Sequence, residues 1–172
     1  WLERLPEPSR QTSEQGVMEF EFARLNGLLV QLLGLYKLGV NQLPLHPDYH
    51  ELDDFIEAQL AGHQDVFRSR AIMATYEVDP LTPLGFFDRE LIASVLDNII
   101  NNAIRHARQA LLISVSDEAG QLVLTINDDG EGYPSERIER QAEYVQGINH
   151  SSGSTGLGLY FAARIAGLHQ RG

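Results

Sequence analysis

Two clusters of glycines constrain the C-terminal part of this chain. Gly130 and Gly132 directly follow an alternating strand pattern, whereas Gly153, Gly156 and Gly158 precede an amphipathic helix pattern. Glycine lets the backbone approach a ligand closely, and a glycine loop that leads into a helix N-terminus exposes N–H groups that suit a phosphate. The second cluster is not a Walker loop, because no Lys-Ser/Thr follows, and not a Rossmann fingerprint, because no strand precedes it. The first cluster alone is weak evidence, since a hairpin or calcium-like turn has a similar sequence.

The composition narrows the possible classes of protein. A chain of 172 residues with 43% hydrophobic content can form one or two domains with a core. Its net charge of -11 disfavours a nucleic-acid surface, but local donors and a bound cation can still hold a nucleotide. The absence of cysteine excludes a disulfide, a zinc–thiolate site and a thiol nucleophile.

The N-terminus has no signal-peptide pattern, and the longest apolar stretch, residues 27–36, is too short to span a bilayer. We therefore expect a soluble, cytoplasmic chain without membrane contact of its own, either free or as the cytoplasmic part of a membrane-bound sensor.

Hydrophobic periodicity predicts a long helix over residues 17–38. Its apolar residues alternate in steps of four and three, as in a heptad seam: Met18, Phe22, Leu25, Leu29, Leu32 and Tyr36. Such a helix could pack on its own domain or pair with another helix. We favour pairing, because Gly39 and residues 41–47 separate it from the rest of the chain.

The remaining pattern predicts an α+β fold in which helices cover one face of a sheet. Helices are predicted at about 51–70, 88–107 and 159–169, and strands at 72–78, 111–116 and 122–126. The last two strands form a predicted hairpin with its turn at 117–120.

The helix at 88–107 contains a polar face. Asn98, Asn102 and His106 lie four residues apart and therefore share one side of the helix. Amide oxygens suit magnesium, which prefers hard oxygen ligands together with waters and phosphates. Arg105 could bind phosphate as a fork, and Asn101 is expected at the surface. The buried side is predicted to consist of Val95, Ile99, Ile100 and Ala103.

Asp128 ends a predicted strand just before the first glycine cluster, where its carboxylate can accept a hydrogen bond from an exocyclic amine such as that of adenine. Together, three motifs resemble the catalytic ATP-binding domain of sensor histidine kinases, within the wider family of gyrase, chaperone and mismatch-repair ATPases. Asn98-Ile-Ile-Asn-Asn102-Ala-Ile-Arg105-His106 is similar to the N box of that family. Asp128-Asp-Gly130-Glu-Gly132 and Ser154-Thr-Gly156-Leu-Gly158-Leu are similar to its two glycine boxes.

The resemblance implies a two-layer α/β sandwich of the Bergerat type, over residues 48–172, preceded by a lead-in loop and part of a dimerisation helix over residues 1–47. It implies ATP and Mg²⁺ as cofactors, with Asn102 as the metal ligand and Asn98 and Arg105 as the catalytic residues. It also implies a mobile ATP lid, Tyr133 to Ser152, between the glycine boxes. The implied nucleotide-binding set is Asn98, Asn102, Arg105, His106, Asp128, Gly130, Gly132, Tyr133, Ser154, Thr155, Gly156, Leu157, Gly158 and Leu159.

The implied activity is transfer of the ATP γ-phosphate to a histidine outside this chain, and onward transfer to a response-regulator receiver domain. Hydrolysing relatives carry Glu where this chain has Asn98, and an amide cannot serve as a general base, which favours phosphotransfer. His50 precedes an acidic residue, as a phosphoacceptor would, but we expect it not to be one, because residues 52–98 leave no room for a dimerisation hairpin. A non-catalytic dimerisation module and a hydrolysing ATPase remain the alternatives.

Three departures from the family pattern accompany the resemblance. The second glycine box begins with Ser154, and the lid lacks the usual phenylalanine motif. The sequence ends shortly after the helix at 159–169, whereas the family continues into further strands. We therefore expect the domain to lack its last strands and to expose a sheet edge.

Overall fold

The structure, a computed structural model, describes residues 22, 25–27, 29–40, 43–132 and 157–170. Residues 29–39 are helical, and we name this helix α1. The other elements follow in chain order: β1 (Asp48–Glu51), α2 (Leu52–Gly62), α3 (Gln64–Ser69), β2 (Met73–Val78), β3 (Leu84–Phe87), α4 (Arg89–His106), β4 (Ala110–Glu118), β5 (Gln121–Asp128) and α5 (Leu157–His169). The predicted α+β arrangement is confirmed.

The main sheet has the strand order β2-β4-β5, with β2 parallel and β5 antiparallel to β4. The predicted hairpin of β4 and β5 is confirmed. Ala119 and Gly120 form its two-residue turn, and both have positive φ (56° and 81°), as a primed hairpin turn requires. The side chain of Asp117 accepts a hydrogen bond from the Gly120 N–H at 2.8 Å.

The core lies between the inner face of this sheet and the helices. Alternate residues of β4 (Leu111, Ile113 and Val115) are buried, as expected for a strand with one covered face. They pack with Leu52, Phe55, Ile56, Phe67, Ile72, Phe87, Leu96, Ile100, Ala103 and Ile104. The structure is therefore a two-layer α/β sandwich.

The buried side of α4 differs from the prediction. Leu96, Ile100, Ala103 and Ile104 are buried, whereas Val95 and Ile99 are only half-buried. The apolar residues of this helix extend beyond one stripe, so periodicity alone did not fix which of them point to the sheet.

Two local features were not predicted. The helix expected over 51–70 is divided into α2 and α3 at His63, whose Nδ1 donates to the Gln59 carbonyl at 2.9 Å. Residues Asp48–Glu51 and Leu84–Phe87 form an additional antiparallel pair, β1 with β3. A Cβ at Gly85 would lie 2.7 Å from the Phe87 ring, so glycine is needed where this pair crosses the core.

The helix α1 presents two different sides. Gln31 and Gly34 are buried against the domain, where a Cβ at position 34 would lie 2.9 Å from the ring of Phe161. The predicted heptad residues Phe22, Leu25, Leu29, Leu32 and Tyr36 are 58–67% exposed. Among the described residues, no helix is both long and apolar enough to cross a membrane.

Candidate functional site

The helix α4 forms the floor of the candidate site. It begins after Asp88, whose Oδ1 accepts the Leu91 N–H at 3.1 Å as an N-cap. Asn98 and Asn102 are half-buried on its polar side, and His106, the last residue of the helix, is exposed. Arg105 is also exposed, and its Nε donates to the Asn101 carbonyl at 3.3 Å. The guanidinium nitrogens at the end of Arg105 therefore project toward solvent from the last turn of α4.

The first glycine box lies against the C-terminal end of α4. A Cβ at Gly130 would overlap the backbone carbonyl of His106 and lie 2.6 Å from Oδ1 of Asp128. The same Oδ1 accepts the Gly130 N–H at 2.9 Å, which folds the chain back just after β5. Glycine at 130 therefore lets the end of β5 reach the end of α4, and Asp128 lies exposed beside that contact. Gly132 is exposed and has a φ of 72°, a conformation that favours glycine.

Sequence reasoning missed the role of Asp129. Its carboxylate accepts the backbone N–H groups of Arg108 at 2.8 Å and of Gln109 at 3.0 Å. Backbone N–H donors, with that of Ala110 foremost, hold the pKa of Asp129 below its ordinary value. The guanidinium of Arg108 also contacts Glu131 at 3.2 Å. Asp129 thus fixes the loop between α4 and β4 to the first glycine box, a contact that the Asp-Asp dipeptide does not reveal.

The second glycine box contacts α4 at Asn98, one helical turn before Asn102. Within this box, α5 begins at Leu157, which is half-buried, and Leu159 is exposed. A Cβ at Gly158 would fall on the carboxamide of Asn98. A larger residue at 158 would have to displace the Asn98 carboxamide, so glycine lets the described start of α5 pack directly on Asn98.

Both glycine boxes thus pack on α4, the helix that carries Asn98 and Asn102. The second glycine box contacts residue 98, the first contacts residue 106, and Asn102 lies between them. At about 1.5 Å per residue these two contacts are ~12 Å apart. An elongated ligand with a polar ring at one end and phosphates at the other suits this arrangement, with the ring near Asp128 and the phosphates near Asn98.

The remaining predicted site residues lie outside the described part of the chain. These are Tyr133, Ser154, Thr155 and Gly156, together with the predicted lid between the two glycine boxes.

The donor set suits magnesium better than a metal held by the protein alone. Within the described residues, no group of three or more His, Asp or Glu could hold a metal ion. Two half-buried amides one turn apart offer neutral oxygens, and magnesium completes such a set with waters and substrate phosphates. The tight contact of Gly158 with Asn98 also brings the second glycine box next to those oxygens.

Comparison with known proteins supports the same interpretation. The family model described as "Histidine kinase-, DNA gyrase B-, and HSP90-like ATPase" matches residues 87–172. The sensor histidine kinase YkoH of Bacillus subtilis is 28% identical over 175 residues, which cover 98% of this chain and 37% of that protein. The chain spans between 28% and 37% of the length of the first curated relatives that it matches.

Solved structures have the same fold. The histidine kinase AdeS of Acinetobacter baumannii matches with a TM-score of 0.67 and 23% identity, over 94% of this chain and 74% of that one. The histidine kinase ThkA, solved in complex with the response regulator protein TrrA, matches with a TM-score of 0.60 and 18% identity, over 86% of this chain and 42% of that one.

Proposed function

Because this chain belongs to the family of histidine kinase-, DNA gyrase B- and HSP90-like ATPases, we propose that it is the ATP- and Mg²⁺-binding catalytic part of a sensor histidine kinase. The observation that supports the proposal is that both glycine boxes pack on α4, Gly158 against the side chain of Asn98 and Gly130 against the backbone carbonyl of His106. The three motifs are distant in sequence, and one extended ligand accounts for their convergence.

Each end of the site has its own task. The carboxylate of Asp128 accepts a hydrogen bond from the adenine amine, and Gly130 and Gly132 leave room for the flat base. At the other end, Asn98 and the first turn of α5 orient the phosphates, with Leu157 and Leu159 on either side of Gly158. Asn102 holds the metal, while Arg105 and His106 contact phosphates or the edge of the nucleotide. Tyr133, Ser154, Thr155 and Gly156, which lie outside the described residues, complete the proposed set.

The chemistry that these residues support is transfer rather than hydrolysis. Magnesium, when bound, neutralises phosphate charge. Asn98 carries an amide, which cannot remove a proton from water, so water is a poor competitor of the intended acceptor. The contribution of the chain is therefore positioning and electrostatic stabilisation, with the guanidinium of Arg105 as a further cation.

The acceptor is a histidine outside this chain. His50, which precedes an acidic residue, lies in β1 opposite Gly85, and its ring packs 5.1 Å from that of Phe87. A strand position in contact with the core does not suit a phosphoacceptor on a helix. The receiver domain of a response regulator is proposed as the partner that takes the phosphate onward.

The proposed homodimer forms through α1 and the residues before it. The heptad residues lie on the side of the helix opposite Gln31 and Gly34, which face the domain. A helix that is buried on one side and carries an exposed apolar seam on the other suits pairing with a second copy. In the cell we expect this unit in the cytoplasm.

Calorimetric titration with ADP and magnesium tests the nucleotide site. We expect binding by the wild type, and Asn102→Ala should remove the dependence on magnesium. Asn101→Ala, which changes the neighbouring half-buried residue, is the matched control and should leave binding intact. Absence of heat from well-folded wild-type protein would instead support a non-catalytic module.

A phosphate-release assay separates transfer from hydrolysis. The chain alone should release phosphate only at a background rate, because the amide of Asn98 cannot activate water. Steady release that Asn98→Ala abolishes would identify a hydrolysing ATPase and contradict the proposal.

A further inference from the structure

Asp88 joins three segments that are far apart in sequence. Its side chain is buried, with only 6% of the residue exposed. Oδ1 accepts the Leu91 N–H at 3.1 Å, which caps α4, and Oδ2 accepts the His46 N–H at 2.9 Å, from the segment 43–47 that leads from α1 to β1. The backbone N–H of Asp88 donates to Nε2 of His169 at 3.0 Å, at the end of α5. One residue therefore connects α4, α5 and the linker segment 43–47.

Both ring nitrogens of His169 are engaged in this arrangement. Nδ1 lies 2.8 Å from the Ile165 carbonyl, which can only accept, so Nδ1 carries the hydrogen. Nε2 is then free to accept the Asp88 N–H, as the geometry requires. His169 therefore functions here as an oriented acceptor, fixed by the last turn of its own helix.

The two contacts between α4 and α5 lie at opposite ends of α5. Gly158 touches Asn98 at its start, and His169 bonds Asp88 at its end, so the two helices run antiparallel. The contacts are separated by ten residues on α4 and eleven on α5, or ~15 Å along a helix. Between them, Phe161 and Ile165 of α5 are buried. A shift of α5 along α4 would therefore break both contacts together.

We propose that Asp88 and His169 are positioning residues that fix the register of α5 on α4 and thereby keep Gly158 against Asn98. The bond from His46 ties this register to the linker segment, so that displacement of the linker relative to α4 is transmitted to the phosphate end of the site. The effect on nucleotide rests on the proposed function, whereas the register itself is a property of the unliganded chain.

Substitutions at two residues, His169 and Asp88, separate the two halves of this connection. His169→Leu removes the acceptor for the Asp88 N–H, while His169→Gln places an amide oxygen the same number of bonds from Cα as Nε2 and should restore the contact. Asp88→Asn keeps one oxygen for the Leu91 N–H and keeps the backbone donor to His169. It replaces the other oxygen by an NH₂ group, which cannot accept from His46. Val115→Ala, in the buried row of β4, is the control for a general loss of stability.

The experiment measures amide hydrogen exchange of the full chain without nucleotide, followed by calorimetry with ADP and magnesium. In His169→Leu we expect amide exchange in the first turns of α5 to accelerate by about tenfold. We expect nucleotide affinity to fall by about tenfold as well, as for the loss of one half-buried hydrogen bond. His169→Gln should recover most of both effects. Asp88→Asn should accelerate exchange at residues 43–47 while α4 remains capped.

The register proposal is overturned if His169→Leu accelerates exchange at the start of α5 no more than Val115→Ala does, or if His169→Gln behaves as His169→Leu does. Failure of the proposed function is a separate result: the wild type would then bind no ADP with magnesium, while the exchange difference between His169→Leu and Val115→Ala would persist.

Discussion

Gly158 at the start of α5 lies so close to Asn98 of α4 that a Cβ on Gly158 would fall on the Asn98 carboxamide. The last glycine of the second glycine box is therefore a packing requirement. Because Asn98 belongs to the polar side of α4, this contact joins the second glycine box to the candidate phosphate end of the site.

This contact predicts a large effect of Gly158→Ala. The added methyl group must displace Asn98 or tilt α5, and overpacking of this kind costs ~1–3 kcal/mol of unfolding free energy. We expect nucleotide affinity to fall by at least tenfold, measured by calorimetry with ADP and magnesium.

Gly167→Ala is the matched control for Gly158→Ala. Gly167 lies in the same helix, and nothing lies within 4 Å of an added Cβ. Replacement there should raise the free energy of unfolding by about 0.5–1 kcal/mol through helix propensity, without changing affinity. Equal behaviour of the two variants would contradict the role of the contact.

Asp128→Ala should weaken nucleotide binding by about tenfold or more, because it removes a charged acceptor for the adenine amine, and hydrogen bonds to charged groups are worth ~1.5–3 kcal/mol. The side chain also accepts the Gly130 N–H. Asp117→Ala removes the same kind of turn bond, to Gly120, at the opposite end of β5, and serves as control. If both variants bind ADP as the wild type does, Asp128 does not contact the base.

Asp129 should contribute stability that depends on its charge. Its folded-state pKa is lowered by backbone N–H donors, that of Ala110 foremost. The contribution is therefore present above the unfolded-state pKa of about 3.9 and is lost as pH falls through the lower folded-state value. Urea unfolding at several pH values should show Asp129→Ala less stable than the wild type at pH 7. The difference should shrink in strong acid, and a difference that is independent of pH would exclude this origin.

Asp97, in contrast to Asp129, should lower the free energy of unfolding when it is ionised. Partial desolvation raises its pKa although its side chain is still 54% exposed, and attraction to His63, with 3.9 Å between Oδ1 and Nε2, only partly offsets that shift. Ionised Asp97 is therefore unfavourable at neutral pH, and the penalty disappears below the unfolded-state pKa of about 3.9. Asp97→Asn should be more stable than the wild type at pH 7 and equal to it in acid, by urea unfolding. Glu118→Gln, at an exposed position at the end of β4, is the control, and no gain at pH 7 in Asp97→Asn would contradict this prediction.

The exposed apolar seam of α1 predicts dimerisation, and a single charged substitution within that seam should weaken the dimer. Leu29→Glu places a carboxylate in the seam, where burial on pairing is costly. Analytical ultracentrifugation should then show a lower association constant than for the wild type. Lys37→Glu adds the same group to an exposed position off the seam and should leave association unchanged. A wild-type chain that is monomeric at all concentrations would contradict dimerisation through α1.

Local sequence patterns were sufficient to predict much of the fold and the residues proposed for the site. The hairpin β4–β5, the long helix α4 and the helix after the second glycine box all follow from periodicity and turn residues close in sequence. The three motifs also predict that Asn98, Asn102, Asp128 and Gly158 belong to one site, because their resemblance to a known family concerns short segments with fixed spacing.

The sequence by itself determined these local elements and which motifs belong together, since each depends on residues within a few turns of one another. Only the tertiary structure decided the pairing of β1 with β3 and the hydrogen bonds from the α4–β4 loop to Asp129. It also decided the hydrogen bonds that link Asp88 to His46 and to His169. The hydrogen bond between Asp88 and His169 joins residues 81 positions apart. No local periodicity encodes such a bond, because it forms only when packing of the whole core brings the end of α5 to the start of α4.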